Sequence, residues 1–162
     1  MIALLGGLAA SAFLVQLLIP GELITLSVIA SAFLMGTQVD FESLAKRYIE
    51  AGFPASSSAS VVGASGIRHQ FAFAVTSGKA IPDVVVDTAL SVTEVEETKV
   101  LAFFAKVYDV RPKAAILCVS PRLNSGAAEL ARQYAITVLE HERPRELMPM
   151  LSRAIDEILG IG

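Results

Sequence analysis

The amino-acid sequence predicts a three-layer α/β domain with a mixed central sheet, preceded by an apolar helical hairpin. Three observations carry this expectation. In residues 67–75 the bulky side chains Ile67, His69, Phe71, Phe73 and Val75 alternate with Arg68, Gln70, Ala72 and Ala74, the period of a half-buried strand. Val84, Val85 and Val86 form an unbroken β-branched run, the pattern of a central strand covered on both faces. From there strand and helix patterns alternate, which indicates parallel pairing with helices packed on the sheet.

At 162 residues the chain has room for one domain and an appendage, and its 54% apolar content can bury a core without disulfides. The 13 basic and 16 acidic side chains leave a net charge of −3, so no overall positive field favours nucleic acid as a partner. Arg68, Lys79, Arg111, Lys113 and Arg122 are interleaved with Asp83, Asp109 and several glutamates and read as a solvated mixed surface. The single cysteine, Cys118, sits in the apolar run 114–119 and reads as a small buried core residue. No Cys/His spacing resembles a zinc site.

The apolar excess lies in residues 1–36, where Glu22 is the one charged side chain. Two runs, 2–19 and 23–35, are separated by the turn Pro20, Gly21 and Glu22. The first, as a helix, would be about 27 Å long, close to the hydrocarbon thickness of a bilayer; the second is shorter. The segment is expected to be a transmembrane helical hairpin that meets membrane lipid through residues 2–35. Small residues at four-residue spacing, Gly6 with Ala10, Gly7 with Ser11 and Ser27 with Ser31, allow the two helices to approach closely. A hairpin that dips in and returns, a buried soluble pair and a cleaved signal peptide are the alternatives. The last is opposed by the lack of Lys or Arg before Lys46. Lys46 and Arg47 place the following domain, residues 37–162, on the cytoplasmic side of the cell membrane, with Glu22 outside.

Asp40 is the expected N-cap of a helix running to about Ala51, with Phe41, Leu44, Ala45, Tyr48 and Ile49 on one face and Gly52 closing it. Phe53 and Pro54 end helical geometry, and residues 55–60 read as a small-residue connector with no phosphate-binding fingerprint after it. A first strand is expected at 61–64, with Ser65 and Gly66 turning into the strand at 67–75. Pro82 opens the third strand where a proline costs no ladder hydrogen bond. Thr93 and Glu96 have capping-box spacing, and Glu94, Glu96 and Glu97 are expected in the first turn of a helix with its body at 100–108. Strands at 114–120 and 136–140 flank a helix at 126–134. A final helix at 144–159 carries Pro149 as a kink or restart point. No internal repeat is visible.

The signature Ser65, Gly66, His69 and Phe71, followed by Val84 to Asp87 and a helix with Lys99 and Lys106, resembles the PD-(D/E)XK superfamily over residues 39–140. This is the restriction-endonuclease-like fold that includes Holliday-junction resolvases. The resemblance implies a three-layer core in the order helix, three strands, helix, strand, helix, strand. It also implies two carboxylates that hold a divalent metal and a lysine that orients the attacking water. Here Ala72 stands where the first acid is expected, Asp87 can be the second, and Ala89 occupies the lysine position. Asp83, four residues before Asp87, would lie about 13 Å from it along a strand, too far to share a metal.

The sequence is therefore expected to encode a degenerate, non-catalytic member that binds or scaffolds at the membrane and takes no cofactor, with a protein partner or a second copy as candidate ligands. The alternative is a divalent-metal nuclease with migrated residues. In that case Asp87, Lys99, Lys106 and His69 would be catalytic, Asp87 and Glu50, or Glu42 in its place, would hold Mg²⁺, and nucleic acid would be the substrate. A small-ligand regulatory module would instead show a pocket at the carboxyl ends of the strands, lined by the loops after Asp87 and Ser120. For His69 a hydrogen-bonded core role is the plainer reading, and His141, between Glu140 and Glu142, is expected to face solvent.

Overall fold

Asp40 caps the first described helix, α1 (Phe41–Glu50), by accepting the Ser43 N–H at 3.0 Å, as its position before an amphipathic run predicts. The structure, a computed structural model, describes residues 39–161, and Val39–Gly162 forms one unit. The predicted hairpin at 1–36 lies outside the described residues. Among those described, no helix is long and apolar enough to cross a membrane.

Five strands follow, β1 (Ala55–Val62), β2 (Arg68–Val75), β3 (Val84–Leu90), β4 (Ala114–Ser120) and β5 (Thr137–Glu140), in the spatial order β1-β2-β3-β4-β5. The β1–β2 and β2–β3 pairs are antiparallel, and the β3–β4 and β4–β5 pairs are parallel. The crossovers are α2 (Glu97–Val110) and α3 (Ser125–Gln133), and the chain ends in a 3₁₀ turn (Pro144–Glu146) and α4 (Leu147–Leu159). The domain is thus an α/β fold of three layers with a mixed sheet. One face of the sheet packs Val85, Ala115, Leu117 and Val119 against Val100 and Phe103 of α2 and Ala127 and Ala131 of α3. The other packs Phe73, Val84, Val86, Ile116 and Cys118 against Leu44 and Tyr48 of α1 and Leu147, Leu151 and Ile155 of α4. Cys118 is buried there as a core residue, and burial raises its thiol to about 12. Tyr48 joins α1 to α4 through its hydroxyl, which donates to Asp156 at 2.8 Å.

Three local expectations are corrected. Residues 55–60, read as a connector, belong to β1: this is an edge strand with solvent on one side, and serine and alanine suffice there because β2 supplies the pairing. Phe71 and Phe73 do not share a face; Phe71 lies edge-on to Phe103 under α2, whereas Phe73 stacks on Phe41 under α1. The inversion falls at the level of Ser58, whose φ of 49° breaks strand geometry between the Ser57–Phe73 and Ala59–Phe71 pairs. The capping box at Thr93 and Glu96 does not form. Val95 is instead held beside Leu123 by bonds to Arg122 and Asn124, so α2 starts only at Glu97. Of the two expectations at Pro149, kink or restart, the restart is what forms: α4 begins at Leu147 after the 3₁₀ turn, which puts the proline in the first turn, where its missing N–H has no helical partner to lose.

Candidate functional site

β2 and β3 pair only through Phe73–Val75 and Val84–Val86. Beyond those residues β2 continues beside β1 to Arg68 and β3 continues beside β4 to Leu90, so the two strands part at Ala72 and Asp87. Strand alternation puts Asp87, between Val85 and Ala89, on the sheet face covered by α2. From α2, Lys106 reaches into the fork. Its Nζ donates to Asp87 Oδ2 at 2.7 Å and to the backbone carbonyl of Gln70 at 2.9 Å, and stands 5.5 Å from the centre of the Phe71 ring. The side chains are 31% and 22% exposed, so the pair is partly shielded from water.

One turn further along α2, Asp109 closes a second polar cluster. Its carboxylate accepts the Ser65 N–H at 2.8 Å and the Ser65 hydroxyl at 2.7 Å, and lies 2.7 Å from His69 Nε2. The Asp109 carbonyl accepts the Ala64 N–H at 3.0 Å. A Cβ at Gly63 would collide with the Asp109 carboxylate, which explains a glycine in this turn. The cluster ties the β1–β2 turn to the C-terminal end of α2. The Ser65 hydroxyl, the His69 ring and the Ser65 N–H hold the Asp109 carboxyl down at about 2.

A carboxylate whose folded-state value lies below its ordinary 3.8 stabilises the fold above that value and loses the contribution as pH falls toward about 2. Asp109→Asn is therefore expected to flatten the fall of Tm between those two pH values, measured by thermal unfolding at a series of pH. Superimposable profiles for the two proteins would contradict the cluster.

Of the residues proposed from sequence, Asp87 and Lys106 are brought together and His69 lies on the same side of the sheet, bonded to Asp109. Lys99 is not brought to Asp87. It lies exposed in the first turn of α2, beside a cleft of about 190 Å³ at the end of β3. That cleft is lined by residues 89–99 alone, with no contribution from the loop after Ser120. Glu50 ends α1 on the opposite face of the sheet, exposed and 4.0 Å from Lys46, and so cannot share a metal with Asp87. Glu42 is exposed in the first turn of the same helix. Ala89 is buried against the α2 face, and Asp83 accepts the Ser77 N–H at 2.5 Å in the β2–β3 connection. His141 is partly exposed, and its Nδ1 accepts the Arg143 N–H at 3.0 Å. Sequence reading missed Asp109 as the partner of His69; its three-residue spacing from Lys106, which puts both on one helix face, was the available signal.

Among the described residues no three His, Cys, Asp or Glu side chains converge to hold a metal. The fork supplies one carboxylate and one backbone carbonyl, both engaged by an ammonium, and this donor set does not fit a two-carboxylate metal centre. No family model and no curated protein matches the chain. Among solved structures, the crystal structure of a protein of unknown function, AF1548, is similar at 11% identity with a TM-score of 0.49. The similarity covers 69% of this chain and 64% of that one, less than two thirds of its length.

Proposed function

We propose that residues 37–162 are a restriction-endonuclease-like domain in which an internal ion pair has replaced the metal centre, and that the protein is a membrane-anchored binding or scaffolding module. The anchor is the apolar segment, in contact with lipid through residues 2–35, with the domain on the cytoplasmic side of the cell membrane. One observation carries the reading: the Lys106 ammonium sits on the fork's single carboxylate, Asp87, at 2.7 Å. A divalent ion would have to displace that ammonium and find its remaining oxygen ligands in water, with Ala72 and Ala89 offering none. The succession helix, three strands, helix, strand, helix, strand supports the fold assignment. The partner is a protein or a second copy of the chain, in keeping with a net charge of −3.

Incubating the protein with labelled duplex and branched DNA in Mg²⁺ or Mn²⁺ is expected to give no cleavage. The approach of Lys106 to Asp87 also suits the alternative, a divalent-metal nuclease whose lysine has moved to the helix. Cleavage that disappears in Asp87→Ala would establish that alternative. The anchor has its own check, since carbonate extraction is expected to leave the protein in the membrane pellet. Release to the supernatant would remove the anchor.

A further inference from the structure

We infer that the exposed side of α2 is the contact surface for a second copy of the chain, packed antiparallel about a two-fold axis beside Ala105. This rests on the binding reading above and chooses the partner for it. A helix on the outside of a domain ordinarily turns charged and polar side chains to water. Between Lys99 and Asp109 the exposed residues of α2 are Leu101, Ala102, Ala105 and Tyr108, and Lys106, the charged residue of that stretch, is turned into the fork. Leu101 is 43% exposed and Tyr108 66%. The Tyr108 ring is the open end of an aromatic row: it lies 5.9 Å from the ring of Phe104, which stacks at 3.8 Å on Tyr134 at the end of α3.

The surface is its own complement. Leu101, Ala105 and Tyr108 follow one another at spacings of four and three, so they form one line along α2 with a small residue between two large ones. An antiparallel copy centred at Ala105 sets Leu101 of each chain on Tyr108 of the other, about 10 Å of helix away, and the two alanines let the axes approach closely. The same arrangement matches charge. Glu94, Glu96 and Glu97 stand at the start of α2, and Arg111 and Lys113 follow its end. Antiparallel packing brings the acidic end of each copy to the basic end of the other and opposes the helix dipoles, whereas parallel packing would set like ends together. Glu96 and Arg111 are exposed and have no side-chain partner among the described residues, so their meeting breaks no existing contact. A partner of another kind gains nothing from this symmetry, while two copies use each contact twice. One helix face is a small interface, and the dimer is expected to be reversible.

Cys118 is buried, so one introduced cysteine reports its own surroundings. In the full-length protein, Ala105→Cys is expected to form a disulfide-linked dimer on oxidation with copper phenanthroline, and Ala51→Cys, also exposed but at the end of α1, is expected not to. Adding Leu101→Asp to Ala105→Cys is expected to slow the cross-link about tenfold, the effect of a charge at the centre of an interface. Glu96→Arg is expected to slow it as well, and Glu96→Arg with Arg111→Glu to restore it, which checks the antiparallel sense. Should Ala105→Cys fail to give a native circular dichroism spectrum, a mixture of Leu101→Cys and Tyr108→Cys proteins is expected to yield the mixed dimer in preference to either like pair. Cross-linking no faster at position 105 than at 51, in protein that cleaves no DNA and stays in the membrane pellet, would overturn the dimer and leave the binding reading standing. DNA cleavage by protein that does cross-link through α2 would overturn that reading and leave the dimer.

Discussion

Truncating Phe73 to alanine is expected to lower the unfolding free energy by about 3–5 kcal/mol, a large share of the roughly 5–15 kcal/mol that holds a typical domain. Phe73 is fully buried, with ring centres 6.2 Å from Phe41 and 6.1 Å from Tyr48. It is one of the contacts that pack α1 on the sheet, and its backbone belongs to the last pair before β2 and β3 part. The cavity left by the ring cannot be filled by Val84 or Val86, whose β-branched side chains are held by strand pairing on both sides. Denaturant titration followed by circular dichroism measures the loss. A loss under about 1 kcal/mol would mean that the ring does not sit between the two aromatics.

The second large effect is expected at the fork. Lys106→Met leaves the Asp87 carboxylate without its partner, and Asp87→Leu leaves the ammonium with the Gln70 carbonyl and the Phe71 ring; each is expected to cost about 1–3 kcal/mol. The double change removes both charges and inserts side chains of suitable shape beside Phe71, so it is expected to cost less than the sum of the single changes. The expected coupling is about 1–2 kcal/mol, the range for residues in direct contact. Strict additivity in a denaturation cycle would show that the pair does not close the fork, and the proposed function would lose the observation that carries it.

These two sites differ in how much of them was legible. The burial of Val84 to Val86 and of the run at 114–120 could be read because continuous β-branched and aliphatic stretches leave no polar face to expose. Asp40 announced α1 because a capping carboxylate acts within three residues of its target. β1 was hidden, since four serines and two alanines in Ala55–Val62 carry no strand signal of their own and are strand by virtue of β2 beside them. The separation of Phe71 from Phe73 was hidden as well. Their spacing of two obeys strand alternation, and only the irregularity at Ser58, one strand away, turns them to opposite faces.

What the chain's own order of residues determined is what acts locally: the buried runs of β3 and β4, the Asp40 cap and the burial of Cys118. Tertiary structure alone decided which charges meet. Lys106 reaches Asp87 across 19 residues, and Asp109 reaches His69 across 40, because the strands diverge under α2 and present a carboxylate and a ring to one helix face. Such encounters depend on the twist and parting of strands, and no short-range periodicity in a sequence encodes those angles.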